Sequence, residues 1–200
     1  MKELWSDFDG TAVGLKGKTD PRNWTKYPLP LKQGYANFLN GVHTSGVDIA
    51  GIVSRRPDIW PRRFVTHRSI AKLGLENYFN DTNVILAGSE FLKAQHVVAR
   101  ASNKQVGIID DKPHHVGVEL VKTLILTESS ERVTLGVVNH EESIRYVNRL
   151  REAVNKMTGV EVDTTLDGKF DIAIGRAVIR VVEMLPYSFE SGQHFAEKIY

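Results

Sequence analysis

Leu4-Trp5-Ser6-Asp7-Phe8-Asp9-Gly10-Thr11 is the stretch that decides the architecture. A short apolar strand runs into two acids separated by a phenylalanine, and a glycine follows. Side chains alternate along an extended chain, so Asp7 and Asp9 project to the same side. Gly10 then lets the backbone turn away sharply. Two carboxylates at the end of a strand suit the C-terminal edge of a parallel sheet, where open α/β folds bind their ligands. Asp, Gly and Thr are also ordinary turn residues. A calcium loop is excluded, because an EF-hand counted from Asp7 needs Gly at 12 and Glu at 18, where Ala12 and Lys18 stand.

Outward from this point, apolar runs alternate with amphipathic stretches. Leu31, Tyr35, Phe38, Leu39 and Val42 lie at helical spacing and predict a helix over 31–44. Residues 47–53 form an apolar, β-branched run that reads as a buried strand, followed by Ser54-Arg55-Arg56-Pro57. A helix is expected over 59–73, opened by prolines and closed by Gly74. A strand at 83–86 and a helix over about 90–101 come next. Val106-Gly107-Ile108-Ile109 is a strand that ends on Asp110-Asp111, followed by a short helix from Pro113 and a strand at 123–126. Strands separated by helices of this length imply right-handed βαβ units. The expectation is an α/β fold, a Rossmann-like parallel sheet sandwiched by helices, over residues 1–127.

Beyond Thr127 the pattern changes. Residues 133–138 suit one more strand. Asn139 and Glu142 suit the start of a helix carrying Ile144, Val147, Leu150, Val154 and Met157, ended by Gly159. After an Asp167-Gly168 turn, Phe170, Ile174, Ala177, Val178, Val181, Val182 and Leu185 predict a second helix. Residues 128–200 therefore read as a mostly helical appendage packed on the core.

Composition bounds the function. The 200 residues are 42% hydrophobic and 25% charged, as in a soluble globular protein. There are no cysteines, which excludes disulfides, thiolate zinc sites and cysteine nucleophiles. With no apolar run long enough to span a membrane and no signal-peptide pattern, a cytoplasmic location is expected. The net charge of +2 hides an asymmetry: residues 1–127 hold 17 Lys/Arg against 12 Asp/Glu, residues 128–200 hold 9 against 12. Basic residues concentrate at 12–33 and at 55–72, the latter with six against Asp58 alone. Such runs are either solvated faces or a field for an anionic substrate.

Two further strand ends carry candidate chemistry. Asp110-Asp111 makes an oxygen-rich corner suited to Mg²⁺. His114 and His115 are a poor zinc pair, since adjacent side chains diverge on a helix. Ser54 stands at one strand end, where a helix cap is the plainer role, and Lys93 lies near the start of a helix.

In order, the strand ends read Asp-x-Asp-Gly-Thr, Ser, Lys, Asp-Asp. That order resembles the haloacid dehalogenase superfamily of aspartate-nucleophile phosphohydrolases, over residues 1–127. The first and last motifs are specific; the middle two are single residues found by position. The resemblance implies a Mg²⁺-dependent phosphomonoesterase working through an aspartyl-phosphate. It makes Asp7 the nucleophile and Asp9 the general acid and base, with Ser54 binding the phosphoryl oxygens and Lys93 neutralising charge. Metal ligands would be Asp7, the main-chain carbonyl of Asp9, and Asp110, with Asp111 helping. Gly10, Thr11, Arg55 and Arg56 are the expected substrate-binding residues.

In that superfamily inserted caps select substrates. Here 19 residues separate Thr11 from Leu31 and 38 separate Ser54 from Lys93, so the cap is minimal and the site open. An open site suits a bulky phosphorylated substrate, such as a nucleotide, a nucleic-acid end or a phosphoprotein. A short basic flap over 12–31 interleaves Lys16, Lys18, Arg22 and Lys26 with Trp24 and Tyr27, which suits a phosphate chain with a base to stack on, or a flap packed on the core. Transfer to an acceptor other than water and hydrolysis of a small metabolite are alternatives on the same residues. A non-catalytic binding module is disfavoured, because every catalytic position is filled.

Overall fold

The computed structural model describes residues 1–14, 30–138, 143–159, 169–184 and 186–199. Most of the 12–31 flap, including Lys16, Lys18 and Trp24, lies outside the described residues, as do Asn139, Glu142, the Asp167-Gly168 turn and Leu185. The elements in chain order are β1 (Lys2–Ser6), α1 (Tyr35–Thr44), β2 (Asp48–Ser54), α2 (Trp60–Lys72), β3 (Val84–Leu86), α3 (Glu90–Ala101) and β4 (Gln105–Asp110). They continue with α4 (Pro113–Leu126), β5 (Arg132–Val138), α5 (Ser143–Thr158), β6 (Lys169–Ile174), β7 (Ala177–Met184) and α6 (Phe189–Lys198).

One seven-stranded sheet runs in the order β3-β2-β1-β4-β5-β7-β6. Every neighbouring pair is parallel except β6 with β7. Parallel strands need helices on both faces, and the side-chain alternation shows both faces buried. Leu4 packs in a cluster with Phe38, Leu39, Ile70 and Phe195, from α1, α2 and α6. Its neighbour Trp5 packs in the opposite cluster, with Val97, Val116 and Leu150 from α3, α4 and α5. The α/β sandwich is therefore as expected, and so are the strand ends it creates.

Two expectations are corrected. The apolar run at 123–126 is the last turn of α4, not a strand: Leu124 is buried, while Ile125 and Leu126 are 46% and 73% exposed, which a central strand would not leave. The expected helix over 170–185 is the β6–β7 hairpin. Its apolar positions fit a period of two as well as 3.6. The β-branched run Val178-Ile179 and Val181-Val182 favours the strand. Gly175, at φ +57°, supplies the left-handed residue of the two-residue turn. Arg180 and Asp171 face each other across the ladder in a bidentate pair at 2.8 and 2.9 Å. The C-terminal region is thus not mostly helical, because β5, β7 and β6 continue the same sheet.

Helix α6 closes over α1 at backbone contact. A Cβ on Gly41 would lie 2.0 Å from the Phe189 carbonyl oxygen, and one on Gly192 would lie 2.2 Å from that of Phe38. Alanine is otherwise preferred to glycine in a helix by ~1 kcal/mol. Gly192→Ala is nevertheless expected to destabilise the fold by about 3 kcal/mol, because backbone and not a flexible side chain must yield. Urea unfolding measures this against Gly46→Ala, whose Cβ meets nothing within 4 Å and incurs only the left-handed strain. Equal losses at the two positions would remove the close-approach argument.

Candidate active site

The sheet order places β1 beside β4, with β2 and β3 leading away on one side and β5 on the other. This reversal is where α/β sheets open a crevice at the C-terminal strand ends. The main-chain N–H of Asp7 donates to the Ile109 carbonyl at 2.9 Å, extending the β1–β4 ladder to the first acid of the motif. Ser6 Oγ donates to the Asp7 carbonyl at 2.7 Å and accepts from Tyr35 Oη at 2.7 Å. Asp7 is thus held from its backbone side by the core.

Gly10 turns the chain at φ +86°, and its N–H donates to the Val13 carbonyl at 2.8 Å. A Cβ there would lie 2.2 Å from Asp111 Oδ2. Glycine is required twice, for the turn and for the carboxylate that lies against it. Carboxylate oxygens of Asp7, Asp110 and Asp111 all lie within 4.8 Å of one another. Asp110 is fixed by the Lys112 N–H, which donates to its Oδ1 at 2.7 Å.

Lys93 enters from the first turn of α3, whose start is capped by Ser89 accepting from the Leu92 N–H at 3.2 Å. Its ammonium is 1% exposed, donates to Asp7 Oδ1 at 3.0 Å and pairs with Asp110 Oδ2. Glu90 lies 3.8 Å from the same nitrogen. Burial alone would lower the Lys93 pKa, but Asp110, then Asp7 and Glu90, more than reverse this and hold it protonated. Burial raises Asp7 well above the usual carboxylate range; Lys93 opposes the rise, while Asp110 and Asp111 add to it. Asp111 is pushed up to about 6 by burial and by Asp110. Three crowded carboxylates against one ammonium leave a corner short of positive charge.

Asp9 is placed differently. Its Oδ2 and Oδ1 accept from Arg56 Nε and Nη2, both at 2.6 Å. Arg56 is 2% exposed, donates from Nη1 to Thr66 Oγ1 on α2 at 2.8 Å, and lies 5.0 Å over the Phe8 ring. Arg56, expected among the substrate-binding residues, lines the same cleft as Asp7 and is a buried clamp on Asp9. Asp9 stands apart from the three-carboxylate cluster, so any metal contact from it must come through its main chain.

The remaining expected residues divide. Asp7, Asp9, Ser54, Arg55, Arg56 and Asp110 are among those lining one cleft of about 340 Å³. Ser54 is buried at the end of β2, its Oγ accepting from the Arg56 N–H at 3.3 Å. Arg55 is half-exposed and 3.9 Å from Glu90. Thr11 is fully buried beneath the turn, its carbonyl accepting from Tyr187 Oη at 3.2 Å, so it does not face the cleft. No family model, curated protein or solved structure matches this chain.

Glu90 and Lys112 join the site without having been singled out by sequence. Glu90 carried a signal in its i,i+3 spacing to Lys93. His114 and His115 lie outside the carboxylate cluster, against each other and the Tyr146 ring. Among the described residues, no helix is long and apolar enough to cross a membrane.

Proposed function

We propose that this cleft hydrolyses phosphate monoesters through a phosphoryl-aspartate on Asp7, as the resemblance to the haloacid dehalogenase superfamily implies. The observation that carries the reading is Lys93, brought from 86 residues away onto Asp7 and between Asp7 and Asp110. A carboxylate attacks a phosphate dianion only where both negative charges are offset, and a buried ammonium on the attacking group does that.

The donor set fits Mg²⁺. Asp7, Asp110 and Asp111 supply hard oxygens, and the charge deficit at their corner is that of a divalent cation. The Asp9 main-chain carbonyl is the further ligand the resemblance implies. When bound, the ion would offset charge on the phosphoryl oxygens as a Lewis acid. The chain's own groups do the rest. An Asp7 carboxylate oxygen forms a bond to phosphorus as the ester P–O bond breaks, and the departing oxygen takes a proton from Asp9. Water then attacks the phosphoryl-aspartate, gives a proton to Asp9, and frees phosphate and the Asp7 carboxylate. Because Arg56 holds both Asp9 oxygens, Asp9 must exchange one guanidinium bond for each proton it carries. Ser54 and Lys93 orient and neutralise the phosphoryl group.

Substrate entry is consistent with a minimal cap. Between Ser54 and Lys93 the chain forms only α2, β3, the first residues of α3 and their connections. A bulky phosphorylated substrate, such as a nucleotide or a nucleic-acid end, is the class such a mouth admits.

Turnover of an aryl phosphate is expected to need Mg²⁺, to vanish in EDTA, and to recover poorly with Ca²⁺, which prefers more ligands at longer distances. Rapid acid quench should trap the phosphoryl group on the peptide containing Asp7. Activity after exhaustive chelation would strip Asp110 and Asp111 of the metal role. Label appearing in an added alcohol and never in free phosphate would make the enzyme a phosphotransferase.

A further inference from the structure

Helix α2 leaves Trp60 and Phe64 in solvent. Trp60 is 76% exposed and Phe64 49% exposed, one helical turn apart, with their rings stacked at 5.7 Å and 18°. One turn further, the Arg68 guanidinium lies 5.9 Å over the Phe64 ring. The opposite face is anchored: Thr66, Ser69 and Ile70 are buried, and Thr66 accepts from the Arg56 that clamps Asp9. Trp60 and Phe64 therefore form an exposed ridge on a helix whose opposite face is anchored.

The charge around the ridge selects its occupant. Helix α2 carries Arg62, Arg63, Arg68 and Lys72 and no acid. Asp58, just before it, takes Arg63 at 2.6 and 2.9 Å, and Asp81 lies 3.0 Å from His67, so the helix with these two acids keeps a positive excess. An apolar protein groove would bury guanidinium groups against hydrocarbon, which costs heavily. A nucleic acid satisfies both features, since bases stack on aromatic rings and phosphates pair with arginine. Ring pairs on a basic face read single strands, whose bases are free to stack.

We propose that the Trp60–Phe64–Arg68 ridge is a stacking platform for a single-stranded nucleic acid whose phosphorylated end enters the neighbouring cleft. The platform lies within reach of the site, because the four residues from Arg56 to Trp60 span at most about 14 Å. At ~3.4 Å per stacked nucleotide that is about four nucleotides. Delivery of an end to Asp7 rests on the phosphatase reading; binding of the strand does not.

The test uses the full chain and a fluorescent twelve-residue oligothymidylate without a terminal phosphate, so that binding is read by anisotropy with no turnover. Binding should occur at low salt and weaken as salt rises. Trp60→Ala and Phe64→Ala should each weaken it about tenfold. Arg68→Gln should flatten the logarithmic salt slope by about 0.7, the value of one single-strand phosphate contact. Each variant should keep wild-type turnover of a small aryl phosphate and the wild-type unfolding midpoint, since the exchanged side chains lie outside the core and the cleft. Absence of oligothymidylate binding at low salt overturns the proposal, as does binding that ignores Trp60→Ala. It is also overturned if Trp60→Ala instead abolishes self-association in sedimentation, which would make the ridge a contact between copies. A wild-type chain that binds the strand but turns over no phosphate ester at all retains the platform and loses the phosphatase reading.

Discussion

Asp7→Asn is expected to abolish phosphate-ester turnover, a loss on the order of 10⁴-fold or more, while the protein stays folded. Phosphate monoesters are so inert that enzymes accelerate their hydrolysis up to ~10²¹-fold, roughly 28 kcal/mol of barrier. The amide keeps the shape of the carboxyl and removes the attacking oxygen's charge, so no phosphoryl-enzyme forms. The fold should tolerate the change because the native charge is not what stabilises this position. Burial and the neighbouring Asp110 and Asp111 already press Asp7 toward its neutral form, with Lys93 the opposing influence. Lys93 keeps Asp110 as its partner in the variant. Steady-state turnover of an aryl phosphate and a urea unfolding curve measure both halves. Retention of more than about one per cent of wild-type turnover by pure Asp7→Asn would make the phosphoryl-aspartate route wrong.

The reasons this site was legible, and where legibility stopped, are physical. Strands β1, β2 and β4 are buried on both faces, so each appears as an apolar run, and the polar residue that follows is where the sheet meets solvent. Asp7, Ser54 and Asp110 stand at such points, and the resemblance supplied their expected roles. Helix α3 lies at its expected bounds, an amphipathic stretch whose start Ser89 caps. The run at 123–126 and the stretch 170–185 were misread because a short apolar run carries no period of its own. Only the exposure of Leu126 and the pairing of Ile174 with Ala177 decide them.

The long-range pairing of Lys93 with Asp7 was legible only through the resemblance, and that of Arg56 with Asp9 was not legible. Arg56 and Asp9 stand 47 residues apart, and nothing in Ser-Arg-Arg-Pro says which arginine turns inward. The structure separates them: Arg55 faces solvent beside Glu90, and Arg56 disappears against Phe8, Asp9 and Thr66. Thr11 shows the same blindness in reverse, a polar residue in a catalytic-looking motif that the turn buries completely. Periodicity reports which face of an element is covered. It does not report which polar groups find each other.

Lys93→Met is expected to damage both function and fold, and the two losses have one cause. The methionine matches the length of the lysine stem but leaves the carboxylates of Asp7 and Asp110 buried without the ammonium that both contact. Removing one partner of a buried ionic cluster typically costs about 3–5 kcal/mol, far more than the cluster contributes relative to an apolar replacement of the whole. Turnover should fall by a factor comparable to that of Asp7→Asn, because the attacking carboxylate faces the phosphate dianion with one cation fewer. The stability loss should also depend on pH in a defined direction. A carboxylate whose folded-state pKa is raised, as burial raises that of Asp7, binds its proton more readily in the folded chain, so acid relieves its burden. In metal-free protein the gap between wild type and Lys93→Met should therefore narrow as pH falls from 7 through the raised range of Asp7 toward the ordinary carboxylate value of about 4. Urea unfolding at several pH values measures it. A gap that is absent at pH 7, or that widens in acid, would mean that Lys93 does not offset the charge of Asp7, and the electrostatic argument for the whole corner would fail with it.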